Sequence, residues 1–159
     1  MSLHSIEKVQ VLETSLAEAW DFFSSPLNLG SITPPDMNFK ILSDFKPGDK
    51  IYAGMLIHYQ VSPLFGIPLN WTTEITAAVH NRYFIDEQRR GPFAYWHHEH
   101  FFEAVPEGVK MTDKVQWKVH GWFLGDIVNS IIVENRVQEI FAFRKTKMQS
   151  LFGRQPVSV

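Results

Sequence analysis

Residues 93–119 read FAYWHHEHFFEAVPEGVKMTDKVQWKV, and the side-chain alternation in this stretch decides the architecture. In its second half Lys110, Thr112, Lys114, Gln116 and Lys118 alternate with Met111, Asp113, Val115, Trp117 and Val119. Successive side chains on a strand point to opposite faces, so the first set faces solvent and the second a core. Pro106-Glu107-Gly108 supplies a turn, and the residues from about Phe93 to Glu103 supply the partner strand. Placing Glu103 opposite Lys110 also places Glu99 opposite Lys114, which pairs outward charges twice with a loop from Ala104 to Val109. A register slipped further along also pairs charges but needs a longer loop, so it ranks second. In the preferred register Phe102 faces Met111, His100 faces Asp113, His98 faces Val115 and Trp96 faces Trp117. Directly opposed Cβ atoms stand roughly 4.5–5.5 Å apart, which brings His100 within hydrogen-bonding reach of Asp113.

The period of two extends upstream. It predicts strands over Ile51–Val61, Leu69–Val79 and Tyr83–Gln88, with Phe39 and Ile41 alternating from Met37 onward. Turns fall at Lys46-Pro47-Gly48-Asp49, His80-Asn81-Arg82 and Arg90-Gly91-Pro92, and a loop at Ser62–Pro68. Ahead of these, Ile6–Leu12 reads as a strand, and Thr14 or Ser15 offers the N-cap of a helix carrying Leu16, Ala19, Trp20 and Phe23 at helical spacing. Pro26 stops that helix, Leu27–Ile32 allows one more turn, and Pro34-Pro35 ends helical structure. After Leu124 the period becomes helical. Ile127, Val128, Ile131, Ile132, Val137, Ile140, Phe141 and Arg144 form a wide stripe; Asp126 near the start and Arg144, Lys145 and Lys147 near the end suit the helix dipole. Strands joined by short turns make an antiparallel sheet whose apolar face the helices cover, an α+β domain spanning residues 1–159.

Strand parity puts Phe84, Asp86 and Gln88 on the inward face beside Trp96 and His98. The interior therefore carries a polar cluster of Asp86, Gln88, His98, His100 and Asp113, ringed by Trp71, Phe84, Trp96, Phe102 and Trp117. Unpartnered burial costs about 1–3 kcal/mol per polar group, so these groups pair with one another, with water or with a ligand. Three readings follow: a satisfied network that fixes register, a polar floor that orients a ligand in an apolar cavity, or a catalytic or metal site. In His97-His98-Glu99-His100 only His98 and His100 share a face, leaving His97 and Glu99 outward. With Asp113 or Asp86 the inward pair could form a two-His, one-carboxylate set. Alternate strand positions are not in themselves a ligand spacing, however, and the expectation is no metal and no cofactor.

Composition narrows the partner. Thirteen Phe, five Trp and four Tyr fit either an aromatic-rich core or an aromatic-lined cavity. A net charge of −2, with basic residues scattered apart from Arg144, Lys145 and Lys147, argues against nucleic acid. The absence of cysteine removes disulfides, thiolate metal sites and cysteine nucleophiles. Met1 to Val11 has no apolar run of signal-peptide length and no stretch reaches about 18 apolar residues, so the expectation is a cytoplasmic protein without integral membrane association. Nucleophile-elbow, Walker and dinucleotide patterns are all missing. The apolar loop Pro63-Leu64-Phe65-Gly66-Ile67 reads as packing over the core rim, or else as a lid.

Nearly the whole chain resembles the START and polyketide-cyclase-like (SRPBCC) superfamily, and most closely a bacterial subgroup of ligand-binding proteins. The matching residues are Ala19-Trp20-Asp21-Phe22-Phe23, Ile32-Thr33-Pro34-Pro35, Ile67-Pro68-Leu69 with Trp71, and Asp86-Glu87-Gln88 with Gly91-Pro92. They continue through Trp96 to Phe102, Met111-Thr112-Asp113 and Ile140-Phe141-Ala142-Phe143-Arg144. The resemblance implies the helix-grip fold: a curved antiparallel sheet of about seven strands around a long C-terminal helix, with one or two short helices after the first strand. It also implies a cavity between sheet and helix for a small hydrophobic molecule such as a lipid, polyketide or aromatic metabolite. Trp71, Phe84, Asp86, Gln88, Trp96, His98, His100, Asp113 and Trp117 are the expected ligand-binding residues. Because members of this superfamily differ in chemistry, two alternatives stand beside binding. One is a cyclase or dehydratase in which Asp113 orients His100 as general acid or base. The other is a protein-interaction module.

Overall fold

The structure, a computed structural model, describes residues 2–120 and 126–153, with 126–130 described by backbone alone. Strand β1 (His4–Leu12) leads to helix α1 (Leu16–Phe23) and to two 3₁₀ turns, Pro26–Ile32 and Pro35–Met37. Strands β2 (Lys40–Ile41), β3 (Leu56–Val61), β4 (Leu69–Val79), β5 (Tyr83–Arg90), β6 (Phe93–Val105) and β7 (Gly108–Val119) follow, then helix α2 (Asp126–Phe152). The expected strand end at Gly121 and helix start near Leu124 lie outside the described residues, as do the side chains of Asp126, Ile127 and Val128. Among the described residues no helix is long and apolar enough to cross a membrane.

All seven strands form one antiparallel sheet in the order β1-β7-β6-β5-β4-β3-β2. Pairing of β4 with β5 shifts register between Thr72 and Thr73 and again between Ile75 and Ala77; β6 shifts against β7 between Phe93 and Tyr95. Each extra residue bends its strand and increases local twist, which curves the sheet toward α2. Helix α1 starts at a capping box: the Ser15 hydroxyl accepts from the Glu18 backbone N–H, and the Glu18 carboxylate accepts from that of Ser15. Its buried face, Ala19, Trp20 and Phe23, closes one end of the interior, with Trp20 edge-on to Phe84 and Phe102. Toward the other end Val133, Val137 and Phe141 of α2 pack on Val115 and Trp117 of β7. Each bulky apolar side chain buried in this way contributes about 1.5–3 kcal/mol.

The β6–β7 register is the one the outward charges specified, from Trp96 opposite Trp117 to Glu103 opposite Lys110. Pairing continues to Val105 opposite Gly108, so the connection is a tight turn at Pro106-Glu107 and not a loop from Ala104 to Val109. Lys110 meets Glu103 at 2.6 Å, but the second ion pair is not made: Glu99 accepts from His97 at 3.2 Å and Lys114 turns to Glu7 at 3.8 Å.

Three upstream expectations need correction. The third strand begins at Leu56, not Ile51, because Gly54 adopts φ +95 and donates to Ile75 O while Ile51 donates to Ser24 O. Only Lys40 and Ile41 pair in the segment after Met37. Pro34-Pro35 does not end helical structure, since proline suits the first position of a turn and Pro35–Met37 winds once more. The stripe on α2 is also rotated. Ile131 is 55% exposed, and the buried line runs through Val133, Val137, Phe141, Arg144 and Met148.

Gly108 sits at φ +139, and a Cβ there would fall 2.1 Å from the Leu12 carbonyl oxygen. Gly48, at φ +96, has open space around it. Urea unfolding is expected to show Gly48→Ala losing about 1–2 kcal/mol and Gly108→Ala distinctly more; equal losses would show that the contact with β1 is not limiting.

Candidate functional site

Between the concave sheet, α2, the 3₁₀ turns and the Ser62–Pro68 loop lies a cavity of about 470 Å³. Its walls are mostly apolar, and the polar groups gather on one wall. Strand parity places Tyr59 on β3, Thr73 on β4, Asp86 on β5, and His98 and His100 on β6 along it, and α2 adds Arg144. A predominantly apolar pocket with a few convergent polar groups is the ordinary form of a small-molecule site.

The polar groups form a chain of paired charge. Asp86 is the Cα partner of His98, and Phe84 that of His100. His100 Nε2 donates to Asp86 Oδ2 at 2.7 Å, and His98 Nε2 donates to Asp113 Oδ1 at 2.9 Å. The expected His100–Asp113 hydrogen bond is therefore replaced. His100 Nδ1 lies 3.0 Å from Asp113 Oδ1 but off hydrogen-bonding geometry, and the diagonal neighbour His98 takes that oxygen. The two imidazoles lie with centroids 3.7 Å apart, tilted by 32°, and Phe84 stacks on His100 at 4.0 Å. Arg144 Nη2 is 3.5 Å from Asp113 Oδ1, its Nε has no hydrogen-bond partner, and its guanidinium lies over the Phe23 and Phe141 rings.

These partners decide protonation. Burial, reinforced by the neighbouring charge of His100, pushes His98 down to about 4 despite Asp113 and Asp86. Burial also opposes charge on His100, but the close contacts with the Asp113 and Asp86 carboxylates outweigh it and raise its pKa. Burial would raise both carboxylates. Arg144, with the two histidines, holds Asp113 well below its usual range, and His100, His98 and Arg144 lower Asp86. The network therefore disfavours charge on His98 and favours it on His100 and on both carboxylates.

The residues singled out from the sequence separate into two groups. Trp71, Phe84, Asp86, Trp96, His98 and His100 line the cavity; Gln88, Asp113 and Trp117 do not. Gln88 spends its amide on the β5–β6 turn, donating to Phe93 O at 2.8 Å and accepting from Phe93 N at 3.2 Å. A Cβ at Gly91 would fall 2.4 Å from its Oε1, which accounts for glycine there. Trp117 is buried against α2 and stacks on His4, and Asp113 sits behind the histidines. The loop residues Leu64, Phe65 and Ile67 border the cavity, with Phe65 69% exposed at its rim. Arg136 ties this rim together, donating to Pro63 O at 2.8 Å and to Asp36 at 2.6 Å. Sequence reasoning placed Arg144 in the helical stripe but assigned its charge to the helix dipole; a charged residue amid Val137, Ile140 and Phe141 was the available signal. Asp86, His98 and His100 also bring one donor atom each within 4.8 Å of one another, a potential metal-holding set.

No family profile and no curated protein matches the sequence. Solved structures do. Zhui aromatase/cyclase from Streptomyces sp. R1128 superposes with a TM-score of 0.74 at 13% identity, over 94% of this chain and 93% of that one. A protein from Chromobacterium violaceum gives 0.71 at 13% identity over 95% and 98%. Major latex-like protein 151 from Panax ginseng gives 0.66 at 12% identity over 94% and 97%. At such identities the likeness is one of fold: this chain has the helix-grip fold.

The two histidines pull stability in opposite directions with pH. The unfolded chain takes up a proton at His98 near pH 6.5, whereas the folded one does so only near 4, so folding weakens as pH falls through that window. The contribution of His100 is complete below its unfolded value and is lost as pH rises through its raised folded value. The melting temperature is expected to peak near about pH 6.5, and His98→Gln should flatten the acid side. A decline between about pH 6.5 and 4 that survives unchanged in that variant would show that His98 does not carry it.

Proposed function

We propose that the protein binds a small, largely apolar molecule bearing an anionic or carbonyl oxygen, with its apolar part between Trp71, Trp96, Ile140 and Phe141 and its oxygen at Arg144. The observation that carries this reading is Arg144 itself. A guanidinium lines an apolar cavity, its one carboxylate neighbour stands 3.5 Å away, and its Nε is unpartnered. An anionic oxygen in the cavity would gain charge-assisted hydrogen bonds from this guanidinium, whose contact with Asp113 is 3.5 Å long. The volume of about 470 Å³ falls within the range of small-molecule pockets, roughly 300–1,000 Å³. Solved structures of this fold include the Zhui aromatase/cyclase, which is consistent with such a ligand. An interior filled by its own aromatics would have favoured the interaction-module alternative, and the open cavity does not lend it that support.

Turnover is the second reading, favoured by one observation. His100 and Asp86 both line the cavity and share a 2.7 Å hydrogen bond, and the raised pKa of His100 favours its protonated form, which suits a general acid. The cyclase or dehydratase pair would then be His100 with Asp86, and Asp113 would position the rings from behind.

Displacement of a fluorescent anilinonaphthalene probe by decanoate and by methyl decanoate tests the binding reading. Decanoate is expected to bind at least about tenfold tighter than its ester, with the preference collapsing in Arg144→Gln, and Val137→Trp should weaken both by filling the cavity. Equal binding of acid and ester to the unsubstituted protein would remove Arg144 as the recognition element. For the second reading, His100→Gln should abolish conversion of a bound polyketide-like diketone while leaving its affinity within a few-fold.

A further inference from the structure

The closely packed histidines leave one nitrogen of each ring unexplained by ligand orientation. Asp113 takes His98 Nε2 at 2.9 Å and lies 3.0 Å from His100 Nδ1, both from behind the cavity wall. The remaining nitrogens, His98 Nδ1 and His100 Nε2, turn toward one atom: Asp86 Oδ2 is 3.7 Å from the first and 2.7 Å from the second. Three donors bound to one ion at about 2.1 Å, at angles between octahedral and tetrahedral, stand about 3.0–3.4 Å apart. The two separations from Asp86 bracket that range, and Asp86, His98 and His100 bring one donor atom each within 4.8 Å of one another. We propose that Asp86, His98 and His100 hold a divalent first-row transition-metal ion through Asp86 Oδ2, His98 Nδ1 and His100 Nε2, with its remaining coordination positions open to the cavity.

Three features of the site support this. Two imidazoles and one carboxylate favour zinc, iron, cobalt or nickel over magnesium or calcium, which prefer oxygen. Histidine ligands bind best when the other ring nitrogen is held by a carboxylate; Asp113 accepts from His98 Nε2 at 2.9 Å and lies 3.0 Å from His100 Nδ1. All three ligand residues line the cavity and Asp113 does not, so the open positions face the bound molecule. Charge also closes. Asp86, Asp113 and Arg144 sum to −1 with neutral histidines; a dication makes the site +1, and a monoanionic ligand brings it to zero.

The site is tested on chelator-stripped protein without organic ligand, so its failure and that of the ligand reading are distinguishable. Titration with Co²⁺ should show one equivalent bound, with visible d–d absorption and quenching of tryptophan fluorescence, since Trp96 lies 6.4 Å from His98. His98→Gln and Asp86→Asn should each weaken Co²⁺ binding by at least about tenfold, whereas His97→Gln, on the opposite face of the sheet, should not. Should those variants fail to fold by circular dichroism, ¹⁵N imidazole spectra of the unsubstituted protein with Zn²⁺ decide. Coordination at His98 Nδ1 but His100 Nε2, with His97 unshifted, is the expected pattern. Folded protein that takes up no equivalent of Co²⁺, binding that follows His97, or imidazole nitrogens indifferent to Zn²⁺ would overturn the proposal.

Discussion

Asp113 is a carboxylate buried in the middle of β7, and the interior is arranged around the need to keep it charged. An isolated carboxylate cannot remain ionised in an apolar core, because the loss of hydration exceeds what packing returns. Two imidazoles and a guanidinium supply the compensation from β6 and α2, and Asp86 in turn balances the imidazoles from β5. Every partner depends on backbone placement. One residue of slippage in β6 would turn both histidines to solvent and leave the carboxylate alone, so the network and the strand register specify each other. Arg144 extends this dependence to the helix, fixing the rotation of α2 as well as its position.

That reciprocity explains why this part of the molecule was legible in the sequence. Glu103 opposite Lys110 selects a register, the register sets the parity of the two strands, and inward His98, His100 and Asp113 follow, with Asp86 placed by the next pairing along. Parity alone ceases to be informative where a side chain can bend back on its own backbone. Gln88 has inward parity but is short of the cavity because its amide fits the turn beside Gly91. Glu99 and Lys114 occupy facing positions yet choose other partners, since exposed charges are free to select among several neighbours at little cost.

The helix was harder to phase. Between Ile131 and Met148 apolar side chains lie on more than one face, so several rotations bury comparable area and periodicity cannot choose among them. Packing against Val115 and Trp117 chose the line through Val133, Val137 and Phe141. Arg144 then falls inside, and its burial becomes intelligible only once Asp113 is known to lie beneath it. The irregular stretch before β3 was equally hidden, because Gly54 ends an apparently regular alternation through its backbone conformation alone.

The rim clasp has a bearing on how the chain assembles. The β4-to-β7 strands that carry Asp86, His98, His100 and Asp113 follow one another through short connections, so their pairing closes small loops. Arg136 and Asp36, by contrast, are separated by 100 residues of sequence. Closure entropy grows with loop length, and contacts between distant segments form once nearer ones have shortened the effective loop. The histidine-bearing hairpins therefore belong to the early, local part of the folding process. The mouth of the cavity is completed only when the last helix arrives.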